Sequence, residues 1–164
     1  MQSKLDRLES FARASTELLG RQPALQSQTA ESQLHAFDQR NIHPGLPPKV
    51  RQLFDDGHYA EATFEAFKYL DKKVQKHAGL SESGFKLMMA AFDKNKASIK
   101  LTPLSTTSEQ DEQEGYRFIF AGGALAIRNP RGHEYSVQDD PDTCLDHLSF
   151  VSLLLRRLEQ SGFM

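Results

Sequence analysis

Arg128, Asn129 and His133 fall within six residues of one another, in the stretch Arg128-Asn129-Pro130-Arg131-Gly132-His133-Glu134-Tyr135. An imidazole can take up and release a proton near pH 7. A guanidinium can grip two phosphate oxygens and offset the charge that builds up as a phosphoryl group is transferred. Together they suit cleavage of an RNA phosphodiester, where the neighbouring 2′-hydroxyl serves as nucleophile and no metal is needed. Pro130 is expected to end a helix at Asn129, and Gly132 to permit a turn that brings Arg128 and His133 to one mouth. The same arginine would also complement a helix C-terminus with no chemistry involved. The spacing alone does not choose between the two.

Other chemistries lack their residues. Gly122-Gly123 is not followed by the Lys-Ser/Thr of a phosphate loop. The six histidines do not pair at metal-ligand spacing on one helix. Cys144 is the single cysteine, which excludes an intrachain disulfide, a zinc ribbon and a Cys-x-x-Cys pair. It is expected as a small buried residue, although a position near a helix start could also lower a thiol's pKa. His43, His58, His77 and His147 read as surface or capping residues, and the Met88-Met89 and Phe118/Phe120 groups as core. Glu112 and Glu114 are tempting acids, but Glu114 would lie roughly 21 Å from Arg128 along a helix. No metal and no cofactor are expected.

The elements that must position these residues read as all-α. The chain has 164 residues, 38% apolar and 26% charged, with a net charge of −2. That is enough for one domain with an appendage, and it excludes a protein that coats nucleic acid by overall basicity. Residues 1–40 read as a polar helical arm, and Pro44, Pro47 and Pro48 mark a boundary before a main domain over 41–164. Helices are expected over 49–56, stopped by Gly57, and over 59–77 and 82–92. Residues 98–107 read as a loop or a short strand pair. Thr107-Ser108-Glu109-Gln110 has capping-box spacing and should open a helix to about Arg128. Asp140-Pro141 should open a last helix with Leu145, Leu148, Val151, Leu155 and Leu158 on one face. The start of the chain mixes charge with apolar residues unlike a signal peptide, and no apolar run is long enough to span a bilayer. A cytoplasmic protein with no membrane association is expected.

Arg128-Asn129-x-x-x-His133 after an apolar helix resembles the signature of the HEPN superfamily, which includes many RNA-cleaving toxins and defence proteins. Arg128-x4-His133-Glu134-Tyr135 is similar to the form found in HEPN toxins encoded beside nucleotidyltransferase-type antitoxins. More closely, the chain resembles the small bacterial and prophage family of hypothetical Ymh proteins. The matching stretches are His43-Pro44, Gly57-His58-Tyr59-Ala60-Glu61-Ala62, Gly84-x-x-Leu87-Met88, Glu112-Gln113-Glu114-Gly115 and Gly122 through Glu134.

The resemblance implies an antiparallel helical bundle that dimerises, with Arg/His pairs of two subunits forming one cleft. Gly115, Gly122 and Ala126 form a small-residue strip that would suit either such a partner or intrachain packing. The expectation is a metal-independent HEPN-type endoribonuclease acting in phage defence or a toxin–antitoxin system. His133 would move the proton, Arg128 would stabilise the phosphate, and Asn129 would orient backbone or phosphate. Arg131 would be a solvent-exposed phosphate contact. Tyr135 would line the cleft and offer a target to a nucleotidyltransferase partner. The rival is a non-catalytic dimeric module binding RNA, a nucleotide or a protein. From Arg128 to Arg157, four arginines stand against five acids, so no broad basic platform is evident there.

Overall fold

The computed structural model describes residues 34–134 and 137–163. The first 33 residues of the expected arm, and Tyr135, lie outside them. Every regular element among the described residues is helical, and none of these helices is long and apolar enough to cross a membrane.

A short helix, α1 (Ala36–Gln39), leads into the proline-rich segment and α2 (Pro48–Asp55). Phe37 and Val50 are both buried in the main core, so residues on each side of the prolines pack with the same domain. Gly57 ends this region at φ +81°, the left-handed conformation that glycine adopts without a Cβ penalty. The central helix α3 (Tyr59–Ala78) is one residue longer than its apolar stripe predicts and stops at Gly79 in the left-handed region. Ala62, Ala66, Phe67, Leu70 and Val74 bury that stripe completely or almost so.

In α4 (Gly84–Ala91), Leu87, Met88 and Ala91 face the core, with Phe92 just beyond. Phe85 does not join them, being 40% exposed. Phe118 likewise departs from its expected place in the core, at 56% exposed. It stands two positions before buried Phe120, and two positions along a helix turn roughly 200° about the axis.

The loop after α4 is tied down by Gln113, which is fully buried on α5 (Thr107–Gly123). Its Oε1 accepts from the Leu101 amide at 2.8 Å, and its Nε2 donates to the carbonyls of Phe92 and Ile99. The capping box is present one residue earlier than expected. Thr106 Oγ1 accepts from Glu109 N, and the Glu109 carboxylate accepts from Thr106 N.

Past Gly123 the chain makes a π-helical turn (Ala124–Arg128) and continues into α6 (Asn129–His133). Thus Pro130 does not end the helix. The Asn129 amide reaches back five residues to the Ala124 carbonyl, and this wider turn gives the proline ring room where an α-turn would clash. Gly132 is helical as well. A Cβ there would sit 2.7 Å from the Phe64 ring, so its role is close packing of α6 on α3.

The last helix, α7 (Pro141–Gln160), opens as expected. Asp140 caps it through Thr143 N, and Pro141 takes a first-turn position where no amide donor is missed. Its Phe150 ring lies against Gly123, and its Arg157 reaches Glu112 at 2.7 Å, so α5 and α7 run in opposite directions.

Candidate functional site

Arg128 is the last residue of the π-turn, and its side chain runs inward towards α3 and α4. The guanidinium lies over the Phe64 ring at 5.4 Å. Nη1 donates to Asn129 Oδ1 at 3.2 Å, and Nη2 stands 3.7 Å from Asp71 Oδ2. The Nε atom is buried and has no hydrogen-bond partner among the described residues.

Asp71 is the residue that the motif could not reveal. Its carboxylate is almost wholly buried, and Oδ2 accepts from the Gly84 amide at 3.0 Å. Burial pushes its pKa above the ordinary value, while the Gly84 amide and the Arg128 charge pull the other way. A signal was present: Asp71 stands four residues after Phe67 and three before Val74, inside the apolar stripe of α3. Gly84 completes the junction at φ +59°, and a Cβ on it would come within 3.5 Å of Arg128 Nη1. Four elements therefore meet at one point: α3 through Asp71 and Phe64, α4 through Gly84, the π-turn through Arg128, and α6 through Asn129.

His133 ends α6, exposed, and makes no side-chain hydrogen bond among the described residues. Because the segment is a continuous helix, five positions carry His133 about 140° around the axis from Arg128. The turn expected to fold the two together is absent. What the helix brings together instead is Arg128, Asn129, Asp71 and Gly84.

Arg131 departs most from expectation. It is not a solvent-exposed contact but a buried clamp. Nε and Nη2 fork onto the two Asp139 oxygens, with Nε at 2.6 Å, and Nη1 donates to the Ile127 carbonyl at 2.8 Å. A planar guanidinium meeting a carboxylate in this way forms two charge-assisted bonds at once. His147 stands beside the pair, its Nδ1 3.8 Å from Asp139 Oδ2 and without a hydrogen bond among the described residues. Burial and the Arg131 charge lower its pKa. Cys144 lies next to them, accepting from Thr63 Oγ1, and burial pushes its thiol up to about 11. It has no lowered-pKa character. Asp139 also borders an open cleft of about 440 Å³, walled by Gly57 to Glu61 and Val137 to Asp139.

His43 is buried, contrary to a surface reading. Its Nδ1 accepts from the Gly45 amide and its Nε2 sits 3.0 Å from Glu159, so it knots the segment before α2 to the end of α7.

A family model described as "Protein of unknown function (Hypoth_ymh)" matches residues 40–158. No curated protein and no solved structure gives a match.

Proposed function

The chain belongs to the Hypoth_Ymh family, and on that premise we propose that it is a dimeric, metal-independent endoribonuclease of the HEPN type. The observation that supports this reading is the division of labour around the π-turn. Arg128 is held in place by a buried carboxylate and by Asn129, while His133, five residues on, is exposed to solvent and has no side-chain hydrogen bond among the described residues. π-turns inside α-helices occur frequently at functional sites.

In the proposed reaction the RNA 2′-oxygen attacks the adjacent phosphorus and its proton passes to a histidine base. The bond to the 5′-oxygen breaks, that oxygen takes up a proton, and a 2′,3′-cyclic phosphate remains. His133 moves protons. Arg128 balances charge on the non-bridging oxygens, with Asn129 fixing its fork. A second copy would complete the cleft. The side of α5 and the π-turn that carries Gly115, Gly122 and Ala126 also exposes Ile119 at 41% and Leu125 at 53%, an apolar face suited to a partner helix. The biological setting we propose is phage defence or a toxin–antitoxin pair, with an antitoxin or a nucleotidyltransferase acting on Tyr135 as the partner.

One observation favours a non-catalytic RNA- or protein-binding dimer instead: the Arg128 guanidinium already has internal partners. Purified protein incubated with total RNA in EDTA separates the two. Fragments ending in cyclic phosphate support the enzyme, and intact RNA supports the binding module.

A further inference from the structure

Charge is unevenly distributed along this chain. Residues 68–100 hold eight lysines against three acids, although the whole protein carries −2. Two of those acids are already engaged, Asp71 with Gly84 and Arg128, and Asp93 with Arg117 at 2.9 Å. Only Glu82 is left to offset the lysines from within the segment. Among the described residues, Lys68 alone of the eight forms an ion pair, with Glu65.

The lysines are ordered with respect to the Arg128 site. Phe64, Lys68, Lys72 and Lys76 follow one another at four-residue intervals on α3, and such residues form a row with steps of about 6 Å. The row begins at the ring on which Arg128 rests and runs past Asp71. On α4, the two residues that follow Gly84 are Phe85 and Lys86, both exposed. An exposed aromatic ring followed by a lysine, one residue from Gly84, together with a row in which Lys72 donates to neutral Gln75 and Lys76 has no ion pair among the described residues, suits single-stranded nucleic acid, because bases stack on the ring while phosphates meet the charges.

We propose that single-stranded RNA lies along this row, its phosphates on Lys72, Lys76 and Lys86 and one base stacked on Phe85, so that the strand enters the Arg128 site from the α3–α4 side. This deepens the ribonuclease reading and rests on it for the direction of entry, but binding is measurable without cleavage.

The probe is a fluorescein-labelled single-stranded 2′-O-methyl oligouridylate, which lacks the nucleophile and cannot be cut. Its anisotropy is followed over a salt series with the full chain. The triple variant Lys72→Gln, Lys76→Gln, Lys86→Gln is expected to lower the slope of log affinity against log salt by about two, at about 0.7 per lost phosphate contact. Phe85→Ala is expected to weaken binding by about fivefold to a hundredfold, with an unchanged melt for both variants. An unchanged slope in the triple variant overturns the proposal, as does absence of binding by the wild type. Displacement of the probe by polyglutamate as readily as by unlabelled RNA, with Phe85→Ala silent, also overturns it and identifies an acidic-peptide surface. Binding that responds as expected while unmodified RNA stays whole would refute the enzyme reading and leave this surface standing. Cleavage with unaltered binding by the variants would do the reverse.

Discussion

Arg128 and Asp71 meet 57 positions apart in sequence, guanidinium Nη2 to carboxylate Oδ2 at 3.7 Å, with the carboxylate also tied to the first amide of α4. A buried acid that fixes an arginine carries a cost that depends on pH. Its pKa is raised by burial, so the folded state holds the Asp71 proton more tightly than the unfolded state does. The stability this provides is fully present below the ordinary Asp value and is lost as pH rises through the raised folded-state value. Asp71→Asn keeps an acceptor for Gly84 but cannot titrate. Urea unfolding of the variant over a pH series should therefore lack this part of the wild type's decline, and parallel wild-type and variant curves would contradict the assignment. In an RNA assay the same variant should lose turnover more than binding, because Arg128 loses its fixed direction.

Arg131 and Asp139 make a simpler prediction. Both side chains are more than nine-tenths buried. Asp139→Ala would leave a buried charge without compensation and should cost about 3–5 kcal/mol. Replacing both, as Arg131→Met with Asp139→Leu, should recover most of that loss. If denaturant titration found Asp139→Ala within half a kcal/mol or so of wild type, the clamp would have no structural importance.

Truncation tests where the packed unit starts. Phe37 is in the core and lies 5.3 Å from the Phe54 ring, while His35 reaches Asp55 at 2.7 Å. A chain starting at Leu34 should melt cooperatively. One starting at Asn41 loses Phe37, and removal of a buried phenylalanine commonly costs about 3–5 kcal/mol. Equal midpoints for the two chains would show that Phe37 contributes little.

Much of this architecture was legible because its signals are local. Asp140-Pro141 announces α7, Gly57 stops the segment before α3, and the α3 and α7 stripes name most of the residues they bury. The misreadings come from backbone geometry and side-chain partners that the local residue pattern does not spell out. Pro130 should break a helix, but the π-turn before it accommodates the ring. Arg131 looked like a surface cation because its partner Asp139 lies eight residues on, past the end of α6. The arginine–histidine motif could be read in the sequence, whereas its buried acid could not be linked to it, since only the packing of α3 against the π-turn places Asp71 under Arg128.

The exposed face on α5 and the π-turn predicts self-association. Light scattering at micromolar concentration should give twice 18.5 kDa. Ile119→Glu should return the protein to a monomer with its helix content intact, because a carboxylate at 41% exposure is tolerated in water but not against an apolar partner. A wild-type mass near 18.5 kDa would contradict the dimer.

The central claim is that His133 and Arg128 cleave RNA without a metal, and it is tested most directly by RNA digestion in EDTA with wild type, His133→Ala and Arg128→Lys. The wild type should release fragments with cyclic phosphate ends. His133→Ala should fall by about 10²–10⁴-fold with an unchanged melt, since the residue is exposed and bonds to nothing described. Arg128→Lys should fail as well, because an ammonium cannot reproduce a planar fork. RNA left whole by the wild type, or cut equally well by His133→Ala, would contradict the account.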